Sequence, residues 1–382
     1  MLNAALRLAK QLAAKAYQDP ERTNKTYTRS FAIGDPQAPI EKFLTILHSR
    51  NLLSPSGRLA EDISLTVVGD YFDWGSSAER KQVGQSGLEL LAWLAAHPRD
   101  QVVLLIGNHD LARVGELVDF TDQTFVQVHE QAVLAYQKGN VDRELEANLC
   151  AQFPQIPTAE LVARDFSSFF EAQRELVYKL LRAQRLQAAT AVGEQILISH
   201  AGITNEVLTA LGVQRSANAV EIAEVLNTHL QNAVKNWQSG PLTIPHLHMP
   251  GNRKHGEGVG IFYHRPVNPE IGLDSHTIGT LKRRYDPRRL PLGLTQVIGH
   301  ISDTKCRQLL GAWVGDDKPV QGAIRFLESD GKHVFYRMGL PQPFVNTNRA
   351  KLVFIDGQMY KTDPANYELL ELSAQTGHHS AI

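Results

Sequence analysis

Cysteine is nearly missing from this chain of 382 residues: there are two, Cys150 and Cys306, far apart and in no CxxC pattern. That argues against a disulfide framework or a thiolate metal site and fits a reducing, cytoplasmic compartment. Long apolar runs are missing too. None approaches the ~18–20 residues of a membrane span, so no membrane partner is expected. The net charge is only −1, which gives no general case for nucleic acid or an anionic membrane as partner. Any polyanion recognition has to be local. Internal repeats, low-complexity segments and the apolar stretch of a secretory signal are also absent. What remains is an ordinary globular composition, 43% hydrophobic and 21% charged, long enough to bury a sizeable core.

The first residues, Met1 to Tyr17, are apolar and basic (Arg7, Lys10, Lys15), with no acid before Asp19. This composition suits an organellar presequence. It suits equally a short helix whose stripe Leu2, Leu6, Ala9 and Ala13 packs on the domain. The helix is the expectation adopted, within an N-terminal extension over 1–28.

Five short β-like runs then end alike. Phe31-Ala32-Ile33 runs into Gly34-Asp35-Pro36-Gln37, and Leu65 to Val68 into Gly69-Asp70-Tyr71-Phe72-Asp73. Val102 to Ile106 runs into Gly107-Asn108-His109-Asp110. Ile196-Leu197-Ile198 runs into Ser199-His200-Ala201-Gly202, and Thr295 to Ile298 into Gly299-His300. Short apolar runs closed by glycine read as central strands buried on both faces. Between them, Ile40 to Leu53 and Leu88 to Leu94 have roughly helical spacing, the first after Pro39 and the second closing before Pro98. Strand, helix, strand, helix, strand predicts an α/β fold with a largely parallel sheet. From Val118 to Val192 the strand signal disappears, and Leu161, Phe166, Phe169, Phe170, Leu176, Val177, Leu180 and Leu181 recur mostly at three and four residues. This predicts a helical insertion, either a cap beside the site or an external buttress. Residues 240–290 look like a long irregular loop. The runs Ala323–Leu327, Val334–Arg337 and Lys351–Ile355 suggest a second sheet, and the tail beyond Leu372 is polar, as mobile ends are.

In an α/β fold, active residues sit on the loops after the strands. The strand ends deliver Asp35, Gln37, Asp70, Asp73, Asn108, His109, Asp110, His200 and His300. Two metal ions clamping an in-line displacement at phosphorus need hard oxygen ligands, some imidazole and a bridging carboxylate. Single glycine-plus-polar pairs are common turns. Five in sequence are far harder to obtain by chance.

These blocks, in this order, resemble the calcineurin-like metallophosphoesterases, and their form is closest to the Ser/Thr protein phosphatases and bis(nucleosyl)tetraphosphatases. The resemblance covers roughly Phe31 to His300. It implies an α/β/β/α four-layer sandwich over 29–372, with 118–192 as the insertion and 373–382 as the tail. It implies a hydrolase, a phosphatase or phosphodiesterase, with two divalent ions, Mn²⁺ first and Fe, Mg²⁺ or Zn²⁺ as alternatives. Asp70 would bridge the ions. Asp35 would hold the first ion, and Asn108, His200 and His300 the second. A metal-bridging hydroxide would attack phosphorus, with His109 as general acid and Asp73 orienting it; the chemistry of an imidazole backed by a carboxylate agrees. Substrates of the class are phosphorylated small molecules, nucleotides or phosphoproteins.

Three departures from the family pattern stand out. Gln37 occupies a histidine position of the first block and Ser302 a histidine position of the last, so the first metal site should be weaker and richer in oxygen, with Gln37 offering at most an amide oxygen. Trp74 stands where the protein phosphatases have a phosphate-gripping arginine; it either stacks on a base or packs under its loop. Gly260 to Arg265 resembles the segment by which relatives place a second arginine, which makes Arg265 the expected phosphate clamp. Asp110 reads as a turn residue. The basic run Lys282-Arg283-Arg284 with Arg288-Arg289 reads as a solvated loop, or as a lure for anionic substrates. His246, His248, His255, His264 and His276 lack zinc-site spacing. The competing hypothesis is a degenerate scaffold that binds phosphate, nucleotide or protein without turnover, prompted by Gln37 and Ser302.

Overall fold

Strands form where the short apolar runs lie, and each is flanked by a helix whose apolar stripe covers it. The computed structural model describes residues 2–15, 17–214, 216–272, 279–345, 348–372 and 380–381. Along the chain, α1 (Leu2–Ala13) precedes β1 (Arg29–Ile33), α2 (Ile40–Ser49), β2 (Ile63–Val67), α3 (Arg80–Ala95), β3 (Val102–Leu105) and α4 (Asn108–Val114). Helices α5 (Asp122–Ala135), α6 (Arg143–Gln152) and α7 (Glu171–Arg182) follow. Next come β4 (Leu186–Gln187), β5 (Ala189–Val192), β6 (Ile196–Ser199), α8 (Asn205–Ala210), α9 (Ala219–Asn236), β7 (Thr295–Ile298) and α10 (Asp303–Leu310). The chain closes with β8 (Arg325–Ser329), β9 (Val334–Met338), β10 (Ala350–Phe354), β11 (Leu370–Leu372) and β12 (Ser380–Ala381).

Two six-stranded sheets result, in the orders β12-β11-β1-β2-β3-β4 and β9-β8-β10-β7-β6-β5. In the first, β1 to β4 are parallel and β11 joins antiparallel at β1. In the second, β10, β7 and β6 are parallel, and β8 and β5 flank them antiparallel. The side-chain period of two decides what each face meets. Ala32, Val68 and Leu105 face Ile198, Val297 and Val353 in one buried cluster between the sheets. Phe31, Ile33, Leu65, Val67 and Leu104 point the other way, onto Phe43, Leu47, Leu91 and Trp93 of α2 and α3. Ile298, Leu352 and Phe354 back onto Cys306, Leu309 and Leu310 of α10. Helix, sheet, sheet, helix is therefore the order of layers. Each such side chain contributes about 1.5–3 kcal/mol on burial, and polar residues within the strands are hydrogen-bonded, Ser30 to Ser64 and Gln296 to the Ile203 backbone.

Helix α1 docks through Ala5, Ala9 and Ala13, with Leu2 and Leu6 partly buried beside them. The segment expected to be helical from 118 to 192 divides differently. Helices α5 and α6 share a separate cluster with Phe120, Phe166 and Phe169, whereas α7 packs Leu176, Val177, Leu180 and Leu181 into the main core. Residues 186–187 and 189–192, inside the expected helical range, are edge strands of the two sheets. Runs of two and four residues are too short for either periodicity to register. The C-terminal β-like runs belong to the second sheet as β8, β9 and β10. Of the tail, 373–379 and 382 lie outside the described residues, and Ser380–Ala381 pairs with Leu370–Glu371. Among the described residues no helix is long and apolar enough to cross a membrane.

Candidate metal centre

The carboxyl ends of β1, β2, β3, β6 and β7 meet at one point, and the local backbone is shaped for it. Asp70, Asp73 and His300 have φ of 58°, 65° and 67°, a region costly for non-glycine residues and frequent at functional sites. Glycine is required where these turns touch: a Cβ on Gly107 would lie 2.1 Å from Asp70 Oδ1, and one on Gly299 1.9 Å from Asp35 Oδ1. Asp110 holds the turn as expected of it. Its carboxylate accepts the N–H groups of Asp70 (2.9 Å), Tyr71 (3.0 Å) and Gly107 (2.8 Å).

His200 is fully buried. Its Nδ1 lies 2.8 Å from the Val68 carbonyl, so the proton sits there and the Nε2 lone pair turns inward. That lone pair faces Asn108 Oδ1 at 3.1 Å, His300 Nδ1 at 3.1 Å and Asp70 Oδ2 at 3.5 Å. Asp70, His200 and His300 each offer one ligand atom, all within 4.8 Å of one another. Asp35 Oδ2 accepts the His300 N–H at 2.9 Å, while among the described residues Asp35 Oδ1 is buried without a hydrogen-bond partner. Burial first, then the charges of Asp356 and Asp70, push the Asp35 carboxyl well above its usual range. Burial pushes both imidazoles down, His300 strongly and with help from Arg265. Neutral imidazoles and crowded, unpaired carboxylates are the donor set a divalent cation relieves, and the residues present fit one. Gln37 donates its amide N–H to the Phe72 carbonyl at 2.9 Å, leaving its oxygen for any cation. It borders the same cavity as Asp35 and Asp70.

Beside these donors stands His109. Its main-chain N–H bonds Asp70 Oδ1 at 3.0 Å, and its Nδ1 lies 3.0 Å from Asp73 Oδ2 and 2.8 Å from the Asp165 carbonyl. With Nδ1–H spent on those acceptors, Nε2 faces the cavity, 3.9 Å from Asp70 Oδ2. Burial alone would lower its pKa, but Asp70 and Asp73 outweigh that and hold it at about 10. Asp73 is itself clamped. Arg113 reaches it at 2.5 and 3.0 Å, and Ser168 gives it an N–H at 3.0 Å and a hydroxyl at 2.7 Å. Burial would raise its carboxyl; Arg113 first and His109 next hold it far below the usual range. Neither Arg113 nor Ser168 is evident in the sequence, although Arg113 lies four residues after His109, on the same face of α4.

These groups floor a cavity of about 730 Å³. One wall is the inserted segment, with Glu160, Leu161, Arg164, Asp165 and Phe166; the other carries Glu257, Tyr263, Arg265, Arg283, Arg284 and Lys305. The long loop thus frames the site. Arg265 reaches the cavity, where Glu257 closes its fork at 2.9 and 3.3 Å. The basic run splits: Arg283 and Arg284 line the cavity, while Lys282 and Arg289 pair with Glu206 and Arg288 with Asp286. Trp74 is 8% exposed and packs on Gly87, where a Cβ would meet the ring at 3.3 Å. His248 stacks on Tyr263, and His264 Nδ1 meets the Gly202 carbonyl at 2.8 Å; His276 lies outside the described residues. Another acid at the site, Asp356, also went unread. It follows β10 as Ile355-Asp356-Gly357, with the acid before the glycine, whereas at the other strand ends a glycine or serine precedes the ligand.

Two face-to-face mixed sheets with oxygen and imidazole donors converging at their carboxyl edges define a sandwich-fold metallohydrolase. More narrowly, residues 28–273 match the calcineurin-like phosphoesterase family model, and the chain belongs to that family. It is by family a metal-dependent phosphoric ester hydrolase. No curated protein sequence matches the chain. Among solved structures, the cold-active protein-tyrosine phosphatase of a psychrophile, Shewanella sp., is 13% identical. That match covers 94% of this chain and 83% of the phosphatase, with a TM-score of 0.38. A protein serine/threonine phosphatase from Saccharomyces cerevisiae is also 13% identical, over 100% of this chain and 86% of its own, with a TM-score of 0.38. Similarity at this level adds nothing to the family assignment. His300 and Asp356 lie beyond the matched span and join the site by geometry.

Proposed function

We propose that the chain hydrolyses a phosphate ester at a dinuclear centre, with His109 as general acid. The observation that carries this reading is a proton donor and a set of inward lone pairs side by side at one cavity floor. Asp70, Asp35 and Gln37 would hold the first ion, and Asp70 with Asn108, His200 and His300 would hold the second. When bound, two divalent ions supply Lewis acidity toward the phosphoryl oxygens and lower the pKa of a coordinated water. The chain does the rest. Arg265 grips the phosphoryl group from the wall by exchanging part of its contact with Glu257 for phosphate oxygen. His109 Nε2 gives its proton to the leaving oxygen, and Asp73 with the Asp165 carbonyl keeps Nδ1–H fixed so that the donor points one way. A binding-only scaffold has no use for a proton donor secured by a buried Arg113–Asp73 pair, which favours turnover over the degenerate alternative.

Mn²⁺ is the ion we assign, because the donors are mostly hard oxygens with imidazole and no thiolate. The two cysteines are free and buried, which suits a reducing cytoplasm. Phosphorylated small molecules, nucleotides and phosphoproteins are the candidate substrates; the polar walls suit an anionic one. The test is release of phosphate from an alkyl phosphate, glycerol 2-phosphate, by Mn²⁺-loaded protein, because its leaving alkoxide needs the proton. His109→Ala is expected to lower kcat by about 10²–10⁴-fold with metal content unchanged. Full activity in that variant overturns the assignment of the acid.

A further inference from the structure

The first metal position is short of charge. Where the family pattern places imidazoles, this chain has two neutral side chains that are already engaged. Gln37 gives its amide N–H to the Phe72 carbonyl. Ser302 caps α10, where its hydroxyl accepts the Lys305 N–H at 3.4 Å. Asp35 would be left to share Asp70 with a second ion that already has three ligands of its own. Even so, among the described residues Asp35 Oδ1 is buried without a partner, on a residue only 4% exposed. An oxygen in that state marks a place where something positive belongs.

Strand register brings one more acid to the same place. β10 runs parallel to β7 with Ile298 opposite Phe354, so residues two further on, His300 and Asp356, leave their strands at the same level of the same edge. The turn after β1 presses against this point: a Cβ on Gly34 would lie 2.0 Å from the Ile355 carbonyl oxygen and 2.8 Å from the Asp356 nitrogen. Asp35, Gln37, Asp70 and Asp356 line one cavity. Asp356 is 8% exposed, and its Oδ1 accepts the Gln358 N–H at 2.8 Å. Arg325 bonds the Asp356 backbone carbonyl at 2.6 Å rather than the side chain. Among the described residues no salt bridge reaches this carboxylate.

We propose that Asp356 is a ligand of the first metal ion, a carboxylate from a sixth strand end in place of the imidazoles that Gln37 and Ser302 replace. The inference rests on the dinuclear reading above and makes the centre asymmetric. Asp35, Asp70, Asp356 and the Gln37 oxygen form an all-oxygen position that favours Mn²⁺ or Mg²⁺, while His200 and His300 with Asn108 form one that also accepts softer ions.

The test uses Asp356→Asn, which keeps the turn because an amide oxygen still accepts the Gln358 N–H. Full-length metal-free protein is titrated with Mn²⁺ alone by calorimetry, and bound metal is counted after equilibrium dialysis. Wild type should take two equivalents. The variant should keep one at wild-type affinity and bind the other more than about 100-fold more weakly, beyond the ~10–100-fold loss for a group that only orients a ligand. Its metal-free melting temperature should match or exceed that of wild type, since one of three crowded carboxylates has lost its charge. Two equivalents at unchanged affinity in the variant overturn this assignment and leave the dinuclear reading standing. One equivalent or none in wild type overturns both.

Discussion

Arg113 and Asp73 pair with both side chains fully out of water, and the energetics of the acid depend on them. Two buried charges cost several kcal/mol each to desolvate, and they are tolerated because their geometry is good and other bonds fill the remaining positions. Here Gln173 accepts the Arg113 Nε–H at 3.1 Å, and the guanidinium lies 4.6 Å from the Phe72 ring centroid. Arg113→Met should therefore destabilise the fold by about 3–5 kcal/mol, because the buried Asp73 loses its guanidinium counter-charge and keeps only His109 and Ser168. Arg113→Met with Asp73→Leu should cost less than Arg113→Met alone. Urea unfolding of the two variants checks this, and an equal or larger loss in the double variant would show that the pair is not what is being read. At this scale the sequence revealed side chains that a strand end announces: Asp35, Asp70, Asn108, His109, His200 and His300. It concealed Arg113 and Ser168, whose significance lies only in what a different element brings opposite them. Asp356 lacks that signal, because it comes straight after its apolar run and before Gly357 rather than after a glycine.

Among the elements, the inserted segment shows best how local structure serves the site. Helices α5 and α6 bury their own aromatic cluster, and the segment then returns to the core through a π-helical turn, Leu161–Asp165. Such turns leave backbone groups outside the regular ladder and recur at functional sites. In this one the Asp165 carbonyl is spent on His109, and three residues later Ser168 holds Asp73. Periodicity made α7 legible through Leu176, Val177, Leu180 and Leu181, but named no residue of α5 or α6 and did not show the turn, because one widened turn leaves the apolar spacing almost unchanged. Ser168→Ala removes a charge-assisted bond and leaves the Asp73 N–H without its 3.2 Å partner, so the acid should be less well aimed. Loss of aim matters only where the leaving oxygen needs a proton. The variant should turn over an alkyl phosphate about tenfold more slowly and 4-nitrophenyl phosphate at nearly the wild-type rate, since nitrophenolate leaves unaided. A uniform drop across both substrates would point to general loosening of the fold.

In the molecule as a whole, the two sheets carry acids from three parallel strands of the first and one of the second to a single buried point. Layer order followed from the family resemblance and from apolar runs in the C-terminal third; which strand stands beside which did not, because register depends on pairing that no single segment encodes. The consequence is collective. Without cations, burial and mutual repulsion raise the carboxyls of Asp35 and Asp356 and bring Asp110 to about 7, so part of this acidity is still protonated near neutrality. Cations can bind only by displacing those protons and, by neutralising Asp70, make Asp110 release more. The sign follows directly. A raised folded pKa contributes stability to the metal-free protein that is present below the unfolded value of about 4 and lost as pH rises through the folded one. The bound form does not lose it, since its carboxylates are neutralised by metal. The rise in melting temperature on adding saturating Mn²⁺ should accordingly grow from pH 5 to pH 8, and Mn²⁺ titrations at pH 6 in buffers of different ionisation enthalpy should show net proton release. A melting-temperature gain that is flat or falls over that range would mean that the acids at these four strand ends are already ionised before any ion arrives, and that the crowding seen in the metal-free fold does not act on the metal.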